Sequence, residues 1–337
     1  MANADSTRES PLTQPFPRML AVGLVAALAT AALASLVWLW SAQPLPASLQ
    51  SAGPATGTEP ELATAPTPAI ELATYRQILA NRSPDWHATR LAENPKILVV
   101  EFPDLAAQAL ALNRLAALIE KHNAPRDRLL SDESLTKFIE QAGDTSETFY
   151  FGHDYQAEAV AKFFNLAVLQ QVRLNADELR LRNLLLEANL LREEGGQMVA
   201  NPGHQAIVTF TALQADRPQT SVDEAVDAQR REAILRHELS HGEFFTNVNY
   251  RDHCWTFWQQ LTDSDRSLLR KFLAGQGYDP HNESLMVNEA QAFLIHTPDD
   301  RVMNANLIGL SQSRLDGLRE RFRQGLPSTI FSTIDRQ

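Results

Sequence analysis

The sequence predicts a helix-rich α+β body behind a single apolar N-terminal segment. Three observations predict it. A charge-free run, Met19–Trp40, precedes a proline-rich stretch. Short β-branched runs, Ile97–Phe102 and Gln205–Leu213 among them, lie between longer segments with apolar residues at three- and four-residue spacing. Capping residues open several of those longer segments. The 337 residues, 44% of them hydrophobic, suffice for one large or two modest packed domains. A net charge of -11 without a long basic run argues against a nucleic-acid partner. Cys254 is the one cysteine, which excludes an internal disulfide; beside Trp255 and near Trp258 it reads as a buried thiol.

The 22 residues Met19–Trp40 match the roughly 20 needed to cross a bilayer as a helix. Arg8 and Arg18 precede them, no charge follows until Glu59, and Trp38 and Trp40 stand at the far end, where interfacial aromatics belong. This predicts one membrane span, a short cytoplasmic N-terminus (1–18), and a body on the periplasmic or extracellular side. A cleaved signal peptide is the competing reading and makes the body secreted; its apolar region is usually only about 7–15 residues. Residues 41–72 hold six prolines among Ala, Thr and Ser and read as a semi-extended linker. The folded body is then 73–337.

Within the body, Ile97–Phe102 is a buried strand ended by Pro103, and Asp104 caps a helix to about Lys121. Ser131 or Asp132 starts a shorter helix, and Phe149-Tyr150-Phe151 is a candidate strand. A helix runs from Gln156 to about Arg173, and Asn175 to Glu178 forms a capping box that restarts one. Glu194-Gly195-Gly196 is a turn, and Gln205–Leu213 a strand. Ser221-Val222-Asp223-Glu224 is a second capping box, predicting a helix from Ser221 to about Asn247. Arg251–Leu261 and Thr262–Ala274 are helical spacers, Asn282–His296 is a helix ended by Pro298, and Arg314–Arg323 is a final amphipathic helix.

The chemistry lies on two of these helices. His237-Glu238-Leu239-Ser240-His241 places two imidazoles one turn apart on one face, able to hold one Zn²⁺ with a position left open. Glu238 can point to that open side and take a proton from zinc-bound water. Glu289 lies inside an apolar helix, where an unpaired carboxylate is costly unless a metal or a basic side chain satisfies it. His253 is the alternative third ligand. Glu243 points to another helix face. His296, seven residues after Glu289 and two turns along the same face, is the candidate donor to a developing oxyanion, with Tyr250, His253 and Tyr278 as alternatives. His153, in a Gly152-His153-Asp154-Tyr155 turn, and His204, after Pro202-Gly203, are isolated histidines that could bind a metal or a substrate and are most simply structural.

H-E-x-x-H followed by Asn288-Glu289-x-x-Ala292 on a second helix resembles the gluzincin branch of the zincin metallopeptidases. The resemblance covers only these two helices. It implies a zincin-like domain with a small mixed sheet, zinc held by His237, His241 and Glu289, Glu238 as base, and a peptide or protein substrate. It also implies an upstream strand walling the cleft, for which Gln205–Leu213 is the candidate. The acidic residue often found four positions after the third ligand is absent, since Phe293 stands there, so the histidines need another orienting partner. Two readings from other classes stay open: a membrane-tethered scaffold with a zincin-like body, and a metal-dependent hydrolase of a non-peptide substrate. The scaffold has no need of Glu238 between two ligands.

Overall fold

The computed structural model describes residues 65–217 and 222–336. Ile70–Ala73 is the first strand, β1, and a Thr74–Gln77 capping box opens α1 (Tyr75–Ala80). β1 pairs in parallel with β2 (His87–Leu91), so Ile70–Leu72, given to the linker by composition, belong to the sheet. β3 (Ile97–Phe102) pairs antiparallel with β2 and is buried at every residue. Asp104 caps α2 (Leu105–Ile119), and Ser131 caps α3 (Asp132–Ala142).

β4 (His153–Gln156) begins beyond the aromatic run assigned to it by composition. Phe149 instead packs on Ala116, Ala117 and Ile139, which explains its apolar character without a strand. α4 (Ala157–Leu169) and α5 (Ala176–Glu187) follow, the latter opened by the Asn175–Glu178 capping box. β5 (Leu191–Glu194) and β6 (Gln197–Ala200) form a hairpin around Gly195 and Gly196, whose φ values of 60° and 78° suit glycine. β7 (Ala206–Thr211) completes the main sheet.

The helix carrying the H-E-x-x-H motif, α6 (Ala228–Thr246), starts later than the Ser221 capping box predicts. Ser221 lies outside the described residues. Glu224, which would reach back to such a cap, is buried and accepts hydrogen bonds from Arg217 and Thr145. Asp227 caps the helix instead, accepting from the Arg230 N–H. Then come α7 (Val248–Gln260), α8 (Asp263–Gly275), α9 (Glu283–Gln291) with a π-turn at Ala292–His296, α10 (Ala305–Ile308), α11 (Gln312–Arg323) and α12 (Ile330–Ile334). The last of these lies where the sequence carries no decisive signal.

The five-stranded sheet has the order β1-β2-β3-β7-β4 and is mixed: β3 and β7 are parallel, while β4 runs antiparallel to β7. Side chains alternate between its faces. Leu98, Val100, Phe102 and Ile207 face α2, α4 and α5. Ile97, Val99, Val208 and Phe210 face Leu235 and Leu239 of α6. Covered on both sides, β3 and β7 read as continuous apolar runs. Arg231 ties α6 to this face. It donates to Glu101 at 2.7 Å and to the carbonyls of Thr211 and Asn81. Gly242 lets the helix close on β3, since a Cβ there would lie 2.9 Å from Ile97 Cδ1. Helices α7, α8, α9 and α11 enclose a separate apolar cluster around Tyr250, Trp258, Phe272 and Phe322. Cys254 is buried in it, and burial pushes its thiol pKa up, as the sequence implied.

The fold class is thus α+β, helix-dominated, with a mixed sheet. Among the described residues no helix is long and apolar enough to cross a membrane; Met19–Trp40 lies outside them.

Candidate metal centre

His237 and His241 project from one face of α6 with ring centroids 4.7 Å apart. α9 packs on α6 and sets the Glu289 carboxylate across both rings. Its Oε2 lies 3.7 Å from His237 Nε2 and its Oε1 3.7 Å from His241 Nε2. Both gaps are too long for hydrogen bonds. They approach the edge, roughly 3.3–3.4 Å, of a tetrahedron whose ligand atoms sit about 2.0–2.1 Å from a central zinc. Donor atoms of the three residues all lie within 4.8 Å of one another. Nε2 of the fully buried His241 has no hydrogen-bond partner, and neither has Glu289 Oε2. Buried lone pairs are rarely left so. Two imidazoles and a carboxylate are a donor set that suits zinc, and the orphaned atoms fit an ion between them.

His237 is oriented by a residue the sequence reading missed. Its Nδ1 lies 2.8 Å from Thr297 Oγ1, and that hydroxyl donates to the Ala292 carbonyl at 3.0 Å. With its proton so used, the hydroxyl accepts from Nδ1–H, which leaves the Nε2 lone pair toward Glu289. Phe293 packs its ring against His237, centroids 4.7 Å apart, and so shields the site where an acid might have oriented it.

Glu238 is buried, and its Oε2 has no partner. Gly152 lies against it: a Cβ there would fall 2.4 Å from Glu238 Oε1. Two residues on, Asp154 Oδ2 is 3.7 Å from His241 Nε2, and Asp154, Glu238 and His241 form a second group of converging donors. Asp154 is opposite Val208 in the ladder, on the sheet face that α6 covers. Period two then puts Gly152 on that face too. The sequence reading took this stretch for a turn around His153. The glycine beside a strand was the available signal, since it marks close approach of another group to the backbone.

Glu120, at the end of α2, is a further buried acid of this interior. Burial, then Glu289, pushes its pKa up to about 8. Burial raises Glu238 well above the carboxylate range, reinforced by Glu289 and Glu120. Asp154 is raised by burial and then by Glu120, Glu238 and Glu289. Burial also raises Glu289, opposed by His241 and the Tyr278 hydroxyl. The imidazoles move the other way: burial lowers His237 to about 3 and His241 to about 4. Four acids gathered out of water repel one another once ionised, and a bound cation relieves that repulsion.

Other residues singled out by sequence lie elsewhere. His296 ends the π-turn that follows α9. Its Nε2 meets the Tyr250 hydroxyl at 3.0 Å and its ring stacks on Phe331, centroids 3.9 Å apart. Tyr250 itself donates to Gln291 at 2.6 Å. His253 bonds the Phe322 carbonyl, Glu243 bonds Asn94 and Asn247, and His204 is exposed. His153 is buried with Nδ1 on the Tyr155 hydroxyl at 2.9 Å, on the strand face opposite Asp154. Tyr278 alone of the alternatives stands beside the ligand set, next to Glu289. The strand chosen as cleft wall, β7, is interior, paired on both sides; β4 is the edge strand that runs past α6. No family model, curated protein or solved structure matches the chain.

Proposed function

We propose that the protein is a zinc-dependent metallopeptidase of zincin-like build, tethered by Met19–Trp40 with its centre outside the cytoplasm. The observation that carries this reading is the pair of 3.7 Å gaps joining Glu289 to His237 and His241, with Glu238 beside them on the same helix. His237, His241 and Glu289 would hold the ion. A zinc ion bound there supplies a Lewis acid that polarises a carbonyl and acidifies water. Glu238 accepts the proton of the attacking water and returns it to the leaving amine. Its raised pKa makes it a better proton acceptor than an ordinary carboxylate, and the proton it then holds is at hand for the leaving amine. Among the described residues β4 pairs with β7 only, so its outer edge offers backbone groups to an extended peptide. The apolar Met19–Trp40 run, with basic residues before it, supports the membrane tether.

The scaffold reading has one observation in its favour. Asp154 brings a further carboxylate to His241, in a group with Glu238 rather than with His237 and Glu289, and closed four-donor sites are typical of structural zinc. Against it stands Glu238, a buried acid with no structural partner for Oε2. Incubating the zinc-loaded, full-length protein with a mixed-sequence peptide library tests the two. Cleavage that stops on chelation and returns with zinc is expected; an intact library with zinc bound favours the scaffold.

Two variants probe the parts separately. Gly152→Ala drives a methyl group into the Glu238 carboxylate and displaces it. The expected result is roughly a 100-fold loss of turnover, the scale of a misplacement of about 1 Å, with zinc content unchanged. Thr297→Val keeps the side-chain shape and removes the acceptor for His237 Nδ1. Zinc affinity, measured by competition with a chromophoric chelator, is expected to fall about 10–100-fold.

A further inference from the structure

We propose that Asp154 is a fourth protein donor to the metal, closing the resting centre, and that it must yield its place before a substrate carbonyl can bind. This rests on the zinc reading above. Three observations carry it. Asp154 Oδ2 stands 3.7 Å from His241 Nε2, the same separation as that of Glu289 Oε1 from that nitrogen. Its carboxylate is nearly out of solvent, with a side-chain exposure of 10%, and among the described residues no Lys or Arg pairs with it; the neutral His241 ring alone is in reach. The backbone aims it: the β4–β7 register sets Asp154 on the face covered by α6, and just before the strand a Cβ at Gly152 would fall 2.4 Å from Glu238 Oε1.

A carboxylate buried beside three other acids, and given no basic partner, is costly unless a cation holds it. The second, independent mark of a ligand is His241, fully buried, whose Nε2 has no hydrogen-bond partner and lies 3.7 Å from both Asp154 Oδ2 and Glu289 Oε1. One segment of edge strand thus covers both working parts of the centre, Gly152 over Glu238 and Asp154 at His241. Asp154 leaves the metal by turning its own side chain, without loss of the β4–β7 ladder.

The test is cobalt(II) substitution of the full-length protein and of its Asp154→Ala and Asp154→Asn forms. The visible d–d bands report the donor set, and azide reports how readily the fourth position is taken. The wild type is expected to bind one cobalt and to resist azide. Asp154→Ala should shift the bands, bind cobalt more weakly by at least the ~10–100-fold typical of disturbing a ligand's partner, and take azide at concentrations roughly tenfold lower or less. Asp154→Asn, which preserves shape, guards against misfolding; bands and azide response like those of wild type in both variants overturn the assignment of Asp154 alone. A wild-type protein that takes up no cobalt overturns the metal centre and this proposal with it.

Discussion

Glu238→Gln keeps its metal and loses turnover by about 10²–10⁴-fold, the usual contribution of a positioned general acid–base. The amide has the shape of the carboxyl group, so the contact with Gly152 and the packing of α6 survive. The ligand atoms belong to other residues, and His237 remains oriented by Thr297. What the amide lacks is the ability to accept a proton and hand it on. Zinc content is therefore the control and turnover the readout, measured on one cleavable peptide over a range of concentrations. A fall in kcat with little change in KM is expected, because the proton moves in the transition state rather than on binding. Unchanged turnover removes Glu238 from the chemistry.

The second large effect is on stability, and its sign depends on pH. His237 and His241 stay neutral in the fold down to about 3 and 4, against roughly 6.5 when unfolded. Their contribution is full above that unfolded value and is lost as pH falls through the folded ones. The buried acids act oppositely. Glu120, raised to about 8, stabilises the metal-free fold below its unfolded value near 4.3, and that contribution is lost as pH rises through about 8. Asp154, Glu238 and Glu289 are raised in the same direction. With four raised acids against two lowered imidazoles, these groups together make the metal-free protein most stable at roughly pH 4–5, where the unfolded carboxyls ionise, and less stable as pH rises. Zinc binds the deprotonated donors and offsets the repulsion among the acids. At a free concentration of 100 Kd it adds about 2.7 kcal/mol, or roughly 5–10 °C in Tm. Chelation is expected to lower Tm more at pH 8 than at pH 5.5; an equal or reversed effect means that the buried acids do not face a cation.

How much of this was legible in the sequence follows from how local each signal is. His237 and His241 are a helical pair, and the period of one helix suffices to bring them together. Glu289 was legible as an acid that an apolar helix cannot bury alone. Thr297 was not, because it reaches His237 only after a π-turn that the apolar run Ala292–Ile295 does not announce. Asp154 and Gly152 become meaningful only once β4 is known to be the edge strand beside α6, and strand order is set by contacts far apart in sequence. For that reason β7 was mistaken for the cleft wall: its β-branched run reveals a strand without revealing its neighbours. The helix start was displaced because Glu224 went to Arg217 and Thr145 rather than back to a cap.

The central claim is that His237, His241 and Glu289 bind one zinc ion. The most direct measurement is elemental analysis of the full-length protein, purified in parallel with Glu289→Ala and His241→Ala after zinc loading and removal of free metal. About one zinc per chain in the wild type, and its loss in both variants, is expected. A wild type without metal, or variants that retain a full equivalent, would contradict it.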